Sequence, residues 1–249
     1  MTRLHTRNIR PIPILVYHQI DRAPAKGKPF RSLYVAPEAF ARQMRWLARL
    51  GYTGMSMTAL MPYLKGEKTG KVVGVTFDDG YQNNLTHALP VLMQHGFSST
   101  CYAVSGLLGK TNLWDEKIGI VQTPLMTADE LRQWVSGGQE VGSHTLQHSQ
   151  LPSSTDSDSL ADIEHGKAIL ELATGLPAQH FCYPFGQFDE RHVEMADRAG
   201  FQTATTTARS RCHNGVDMLM LPRVPVLRST TLPLLWLKVA TGYEDRRSQ

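Results

Sequence analysis

The sequence predicts an α/β fold, a distorted or incomplete (β/α) barrel of about seven strands, and two observations carry that reading. Short β-rich runs recur at residues 12–17, 72–77, 99–104, 139–143, 180–183, 202–206 and 221–226, and they read as buried strands. Segments with helical spacing lie between them: Phe40, Met44 and Leu47, and again Leu85, Leu89 and Leu92, set apolar side chains on one face at i, i+4 and i+7. Such alternation marks β/α units. A chain of 249 residues, 41% apolar and 19% charged, with no repeat or low-complexity tract, suits one barrel-sized domain over 1–249.

Several boundaries are legible. Thr127-Ala-Asp-Glu130 reads as a capping box ahead of Leu131 and Trp134, with Gly137 and Gly138 as the stop. Residues 149–159, rich in Ser, Asp and Pro, are expected to form a loop before a helix over 160–173 that ends at Gly175 and Pro177. Cys101, Cys182 and Cys212 form an odd set without a C-x-x-C pair, so no disulfide framework or zinc ribbon is written here.

The net charge of +4 is scattered except at the ends, where Arg3, Arg7, Arg10, Arg246 and Arg247 sit. This balance suits an anionic glycan, a lipid-linked sugar phosphate or peripheral association with a membrane, and points to neither nucleic acid nor an obligate protein partner. No run approaches the roughly 20 apolar residues of a membrane span. The first thirty residues lack a secretory apolar core, so a cytoplasmic or peripheral inner-membrane location is expected, with export if a longer native N-terminus precedes them.

The sharpest chemical feature is Val75-Thr-Phe-Asp-Asp-Gly80, an apolar strand ending in two carboxylates and a glycine. Adjacent acids resist joint ionisation, and a cation relieves this by binding one and leaving the other as a base. Ser143-His-Thr-Leu-Gln-His148 follows another strand with two imidazoles four residues apart, a spacing that on a helical turn lets both grip one ion. His180-Phe-Cys-Tyr-Pro-Phe-Gly186 ends a third strand in a loop able to turn an amide N–H toward an oxyanion, and Ile14-Leu-Val-Tyr-His18 puts a histidine at a fourth exit. All would open at the C-terminal end of a parallel barrel, where catalytic groups gather. Asn83 and Asn84 are candidates for a sugar hydroxyl or a helix cap, and Tyr81, Trp114 and Phe188 for stacking or packing.

These residues resemble the polysaccharide deacetylases with a NodB-like domain, carbohydrate esterase family four. Thr76-Phe-Asp-Asp-Gly80 looks like its first motif, His144-x-x-x-His148 like its second, and Tyr183-Pro-Phe-Gly186 like the later part of its third. Leu15-Val-Tyr-His18, Pro37-Glu-x-Phe40 and Leu47-x-x-x-Gly-Tyr52 look most like the branch of poly-N-acetylglucosamine deacetylases. The resemblance implies that Asp79, His144 and His148 bind a divalent metal, zinc first with cobalt or nickel as alternatives, and that Asp78 is the general base. It also implies that Tyr183, Pro184 and Phe185 shape the substrate side, with a backbone N–H near Phe185 facing the oxyanion. The implied reaction removes the N-acetyl group of an amino sugar in a polysaccharide, an oligosaccharide or a lipid-linked precursor.

Two departures qualify the match. The Leu-x-His motif that supplies an acid near the C-terminal end in much of the family is missing, which makes His18 the candidate acid. Cys182 stands where an arginine usually orients the base, and Arg223 of the last strand is expected to reach Asp78 instead. These gaps keep two rivals in view: an O-acetyl esterase, which needs less leaving-group protonation, and a glycan-binding protein without turnover.

Overall fold

The computed structural model describes residues 10–247; Arg3 and Arg7 lie outside the described residues. The strands are β1 (Ile14–Tyr17), β2 (Gln19–Ile20), β3 (Tyr34–Val35), β4 (Thr53–Met55), β5 (Val72–Phe77), β6 (Thr100–Ala103), β7 (Glu140–Ser143), β8 (His180–Cys182), β9 (Thr203–Arg209) and β10 (Leu221–Pro225). Seven of them, β1 and β5 to β10, close a parallel barrel, the last link being β1 to β5 with Ile14 opposite Gly74 and Tyr17 opposite Phe77. Each of the seven β-rich runs of the sequence contributes one of these strands.

The sequence reading missed β4, three residues centred on a glycine and too short to show a period. It pairs with the first half of β5, Thr53 opposite Val72 and Met55 opposite Gly74, whereas β6 pairs only with the second half at Thr76 and Phe77. The Ser98 N–H donates to the Gly54 carbonyl, so β4 is wedged between β5 and β6 at the barrel's lower end and distorts it there. Gly54 is required at that point because a Cβ would lie 2.5 Å from the Phe97 ring. β2 and β3 form a separate pair at the barrel mouth.

The helices are α1 (Pro37–Arg49), α2 (Met57–Leu64), α3 (Leu89–Gln94), α4 (Ala128–Ser136), α5 (Asp156–Thr174), α6 (Glu190–Arg198) and α7 (Leu232–Ala240). α1 buries Phe40, Met44 and Leu47. The Thr127–Glu130 capping box opens α4 with both reciprocal bonds made. The 85/89/92 pattern is a π-helical turn over Asn84–Ala88 leading into α3. Pro90 has no N–H to give the Thr86 carbonyl, which is a physical reason for the ladder to widen there.

One boundary needs correction. Residues 149–159 are not all loop, because α5 begins at Asp156, with the Thr155 hydroxyl accepting the Asp158 N–H at 3.2 Å. The Ser/Asp-rich stretch is the capped, acidic first turn that a helix dipole favours, and its composition resembles a loop for that reason. Gly175 ends the helix at φ 72°.

Alternation along β5 separates two environments. Val73, Val75 and Phe77 face the helices, where Tyr17, Phe40, Phe77 and Trp134 pack with ring centroids 5.2–5.8 Å apart. Thr76 and Asp78, two apart, face the barrel axis, where both meet Arg223 of β10. The barrel floor is polar and ionic. Thr100, Glu140, His180 and Thr203, the first residues of β6 to β9, meet there, with His180 Nδ1 2.8 Å from the Thr203 hydroxyl and Nε2 2.8 Å from that of Thr58. Glu140 accepts from the Thr58 and Thr100 hydroxyls and lies 3.5 Å from His180.

Burial acts to raise the Glu140 carboxyl, but hydrogen bonding and charge from His180 and the two threonines outweigh it and bring it to about 2. A carboxyl depressed in the folded state stabilises above its unfolded pKa, and that contribution disappears as pH falls toward the folded value. Acid unfolding should therefore cost stability between about pH 4.5 and 2 through this group, on the order of 3 kcal/mol at about 1.4 kcal/mol per unit. Glu140→Gln should flatten the stability profile over that window in urea titrations; an unchanged profile would remove Glu140 from the account.

Candidate active site

The chain leaves β5 through two consecutive left-handed residues, Asp79 at φ 74° and Gly80 at φ 78°. A Cβ on Gly80 would sit 3.2 Å from Ala103, so the turn runs close against β6. The Asp78 N–H continues the strand pairing by donating to the Tyr17 carbonyl, and its side chain enters the barrel. Arg223 meets it there in a fork, Nη1 to Oδ1 and Nη2 to Oδ2, both at 2.7 Å. The other Arg223 donors go to the Thr206 carbonyl, the Thr76 hydroxyl and Cys182 Sγ at 2.9, 3.3 and 3.2 Å. That accounts for all five guanidinium N–H groups. Desolvation would raise the Asp78 pKa, but the Arg223 charge and hydrogen bonds, with His18 and His144, bring it below the ordinary carboxylate value.

Asp79 turns the other way, toward the segment after β7. Its Oδ1 lies 3.4 Å from both His144 Nε2 and His148 Nε2, and all three residues are buried. The sequence spacing suggested a helical turn for the histidines. They converge instead on an irregular turn in which Thr145 (φ 64°) and His148 (φ 57°) adopt left-handed backbone. The Thr145 hydroxyl stabilises it by accepting the His148 N–H at 2.9 Å.

This cluster fits a divalent cation. His144 Nδ1 is 2.7 Å from the Cys182 carbonyl, which can only accept, so Nδ1 carries the proton and Nε2 offers a lone pair. A tetrahedral ion with ligands at about 2.0–2.2 Å spaces neighbouring donors by roughly 3.4 Å, which is the separation of Asp79 from each imidazole. A second set, Asp78, His144 and Cys182, is also compact, but Arg223 already occupies both Asp78 oxygens and the thiol.

His18 follows β1 and lines the same cavity of about 350 Å³. Asn83 and Asn84 neither cap a helix nor face the cavity. Both side-chain oxygens approach the Ile20 N–H, and their amides donate to Gln19 Oε1 and the His18 carbonyl, so they pin the segment that carries His18. Tyr183 borders the cavity, but its ring is buried in the outer core, stacked on Phe188 and edge-on to Phe181, with its hydroxyl donated to the Leu219 carbonyl. Phe185 reaches the cavity at φ 58°, whereas Pro184 is buried and does not line it. Gly186 (φ 67°) is confined, since a Cβ would fall 1.9 Å from the Thr207 hydroxyl. Trp114 stacks on the His148 ring at 4.3 Å, and Tyr81 is a buried wall residue.

The sequence reading missed Phe30, Leu33, Ile118 and Leu227, an apolar wall around the mouth, and Asp115, the one carboxylate there outside the acid pair. They lie in loops far apart in sequence, and no local pattern connects them. Positive φ at non-glycine residues marks the site but is not written in the sequence: Phe30, Asp79, His148 and Phe185 line the cavity, and Thr145 lies in the turn between the two histidines.

An acid pair and two histidines gathered at the C-terminal mouth of a parallel barrel make a site suited to hydrolysis. The chain belongs to the polysaccharide deacetylase family, whose model matches residues 65–204. It is 25% identical over 225 residues to YxkH of Bacillus subtilis, provisionally named a polysaccharide deacetylase, covering 90% of this chain and 74% of that one. The crystal structure of BC0361, a polysaccharide deacetylase from Bacillus cereus, superposes with a TM-score of 0.75 at 28% identity, covering 91% of this chain and 68% of that one. The deacetylase PplD of Streptococcus pyogenes, in complex with acetate, shares the fold with a TM-score of 0.81 at 21% identity, over 93% and 99% of the two chains.

Removing one partner of a buried, forked ion pair strands the other charge. Arg223→Ala should lower stability by about 3–5 kcal/mol in urea unfolding, and a variant as stable as the parent would show that the pair contributes little to the barrel interior.

Proposed function

We propose that the chain is a metal-dependent deacetylase that hydrolyses the N-acetyl group of an amino sugar, with a lipid-linked glycan precursor as the favoured substrate. The observation that carries this is the division of the acid pair: Arg223 holds Asp78 ionised, while Asp79 joins His144 and His148 in a cation-sized cluster. A divalent ion held by Asp79, His144 and His148, zinc first with cobalt or nickel as substitutes, supplies polarisation of the acetyl carbonyl and acidification of water when bound.

The chain's own residues do the rest. A carboxylate has about four acceptor positions; Arg223 takes two, and Asp78 keeps others for the proton of the attacking water. A backbone N–H near Phe185 donates to the developing oxyanion, in a turn shaped by Tyr183 and Pro184. His18, across the cavity, gives a proton to the departing nitrogen as the C–N bond breaks, leaving acetate and a free amine. A proton donor at that position supports an amide substrate over an ester. Arg223 beside Asp78 answers the gap left by Cys182, one of the two grounds, with the missing C-terminal histidine, for a non-catalytic reading.

The apolar mouth supports a lipid-linked substrate. Phe30 and Ile118 are 53% and 58% exposed, next to Leu33 and Leu227, a surface that a hydroxylated polymer alone would leave in water. Exposed Arg22, Lys26 and Lys28 precede Phe30 and suit a phosphate-bearing lipid at a membrane face. No helix among the described residues is long and apolar enough to cross a membrane.

Acetate release from N-acetylglucosamine oligomers, lipid-linked N-acetyl sugars and matched O-acetyl sugars tests this in metal-stripped, zinc-loaded and Asp78→Asn protein. Release should require metal and fall at least about 100-fold in the variant. Turnover of O-acetyl substrates alone would make the protein an esterase, and glycan binding without release would make it a binding protein.

A further inference from the structure

The turn between His144 and His148 is gripped from outside the barrel by a residue that takes no part in the chemistry described above. α5 passes beside it. Asp162 Oδ1 accepts the N–H groups of Leu146 and Gln147 at 3.1 and 2.9 Å, and the Asp162 carbonyl also accepts the Leu146 N–H at 3.0 Å. One helical turn further along the same face, Gly166 lets the two backbones touch, because a Cβ there would lie 2.6 Å from both Leu146 N and Thr145 C. Asp162 is 8% exposed, and its Oδ2 is buried with no hydrogen-bond partner among the described residues.

The turn needs such a grip. Thr145 and His148 both hold left-handed backbone, which persists only where the surroundings over-determine it. The two imidazoles also differ in how they are fixed. A metal-binding histidine generally anchors its second nitrogen by a hydrogen bond. His144 does so through the Cys182 carbonyl, but His148 Nδ1 is buried without a hydrogen-bond partner among the described residues. Besides Asp79 at Nε2, the His148 imidazole has only ring contacts among the described residues, to Trp114, Phe185 and His144 at 4.3, 4.4 and 4.7 Å, and none of them fixes the direction of Nδ1. Its aim therefore falls to the backbone of the turn.

We propose that Asp162 is a positioning residue for the metal site: through the Leu146 and Gln147 N–H groups it sets the turn that aims His148, and Gly166 gives α5 the close approach this requires. The inference rests on the reading of Asp79, His144 and His148 as metal ligands.

The test measures zinc affinity by competition with a chromophoric chelator, visible absorption with cobalt, and melting of the metal-free protein, for wild type, Asp162→Ala, Asp162→Asn and Gly166→Ala. Asp162→Ala should lose about 10- to 100-fold in zinc affinity, the range for outer-shell partners of metal ligands, with weakened cobalt bands. Asp162→Asn keeps an acceptor oxygen and should recover most of the loss. Wild-type affinity in folded Asp162→Ala overturns the proposal, and so does an Asn variant as impaired as the Ala variant. If Asp162→Ala does not fold, Gly166→Ala decides: weakened binding supports the role and unchanged binding overturns it. A wild-type protein that binds neither zinc nor cobalt would instead sink the metal reading, and this inference with it.

Discussion

The forked pair between Asp78 and Arg223 is the interaction on which the barrel interior depends. A guanidinium 1% exposed inside a parallel barrel is costly unless every N–H is met and its charge is opposed. Both conditions are satisfied by residues from four strands: Thr76 and the Asp78 at its exit from β5, Cys182 of β8, Thr206 of β9 and Arg223 itself on β10. The pair therefore bridges β5 and β10, the two strands that flank β1, just below the mouth. It also separates the acids of the first motif, committing Asp78 to the barrel axis and leaving Asp79 to face the histidines. Two adjacent carboxylates can then be ionised together, because each has its own positive or hydrogen-bonding partner.

Much of the frame was legible because its signals are local. Seven β-rich runs became the seven barrel strands, and the Thr127–Glu130 capping box formed as written. What was not legible depends on distance or on backbone. β4 has three residues and no period; it exists because Gly54 fits under the Phe97 ring. α5 starts earlier than its composition suggests, since the Ser and Asp residues that look like a loop are also those that cap a helix.

The site residues divide along the same line. The acids and histidines could be named from motifs, but how the histidines converge could not, because a helical turn and a left-handed turn can share one spacing. Asn83 and Asn84 looked like sugar contacts or caps and instead hold the chain around His18, a role that requires knowing that the β1 exit passes over them. The apolar wall of Phe30, Leu33, Ile118 and Leu227 comes from separate loops brought together only by barrel closure.

The contact between Cys182 and Arg223 reaches beyond this one chain. Sγ sits 3.2 Å from a guanidinium nitrogen, inside the space that a long side chain at 182 would need. An arginine can project from β8 or from β10 toward the same carboxylate, but the barrel is too narrow for both. The two positions are thus sterically exclusive and should covary among related sequences, small at one wherever the other is basic. A third motif without its arginine then need not signal decay of the site; it can record a change of strand for the same cation.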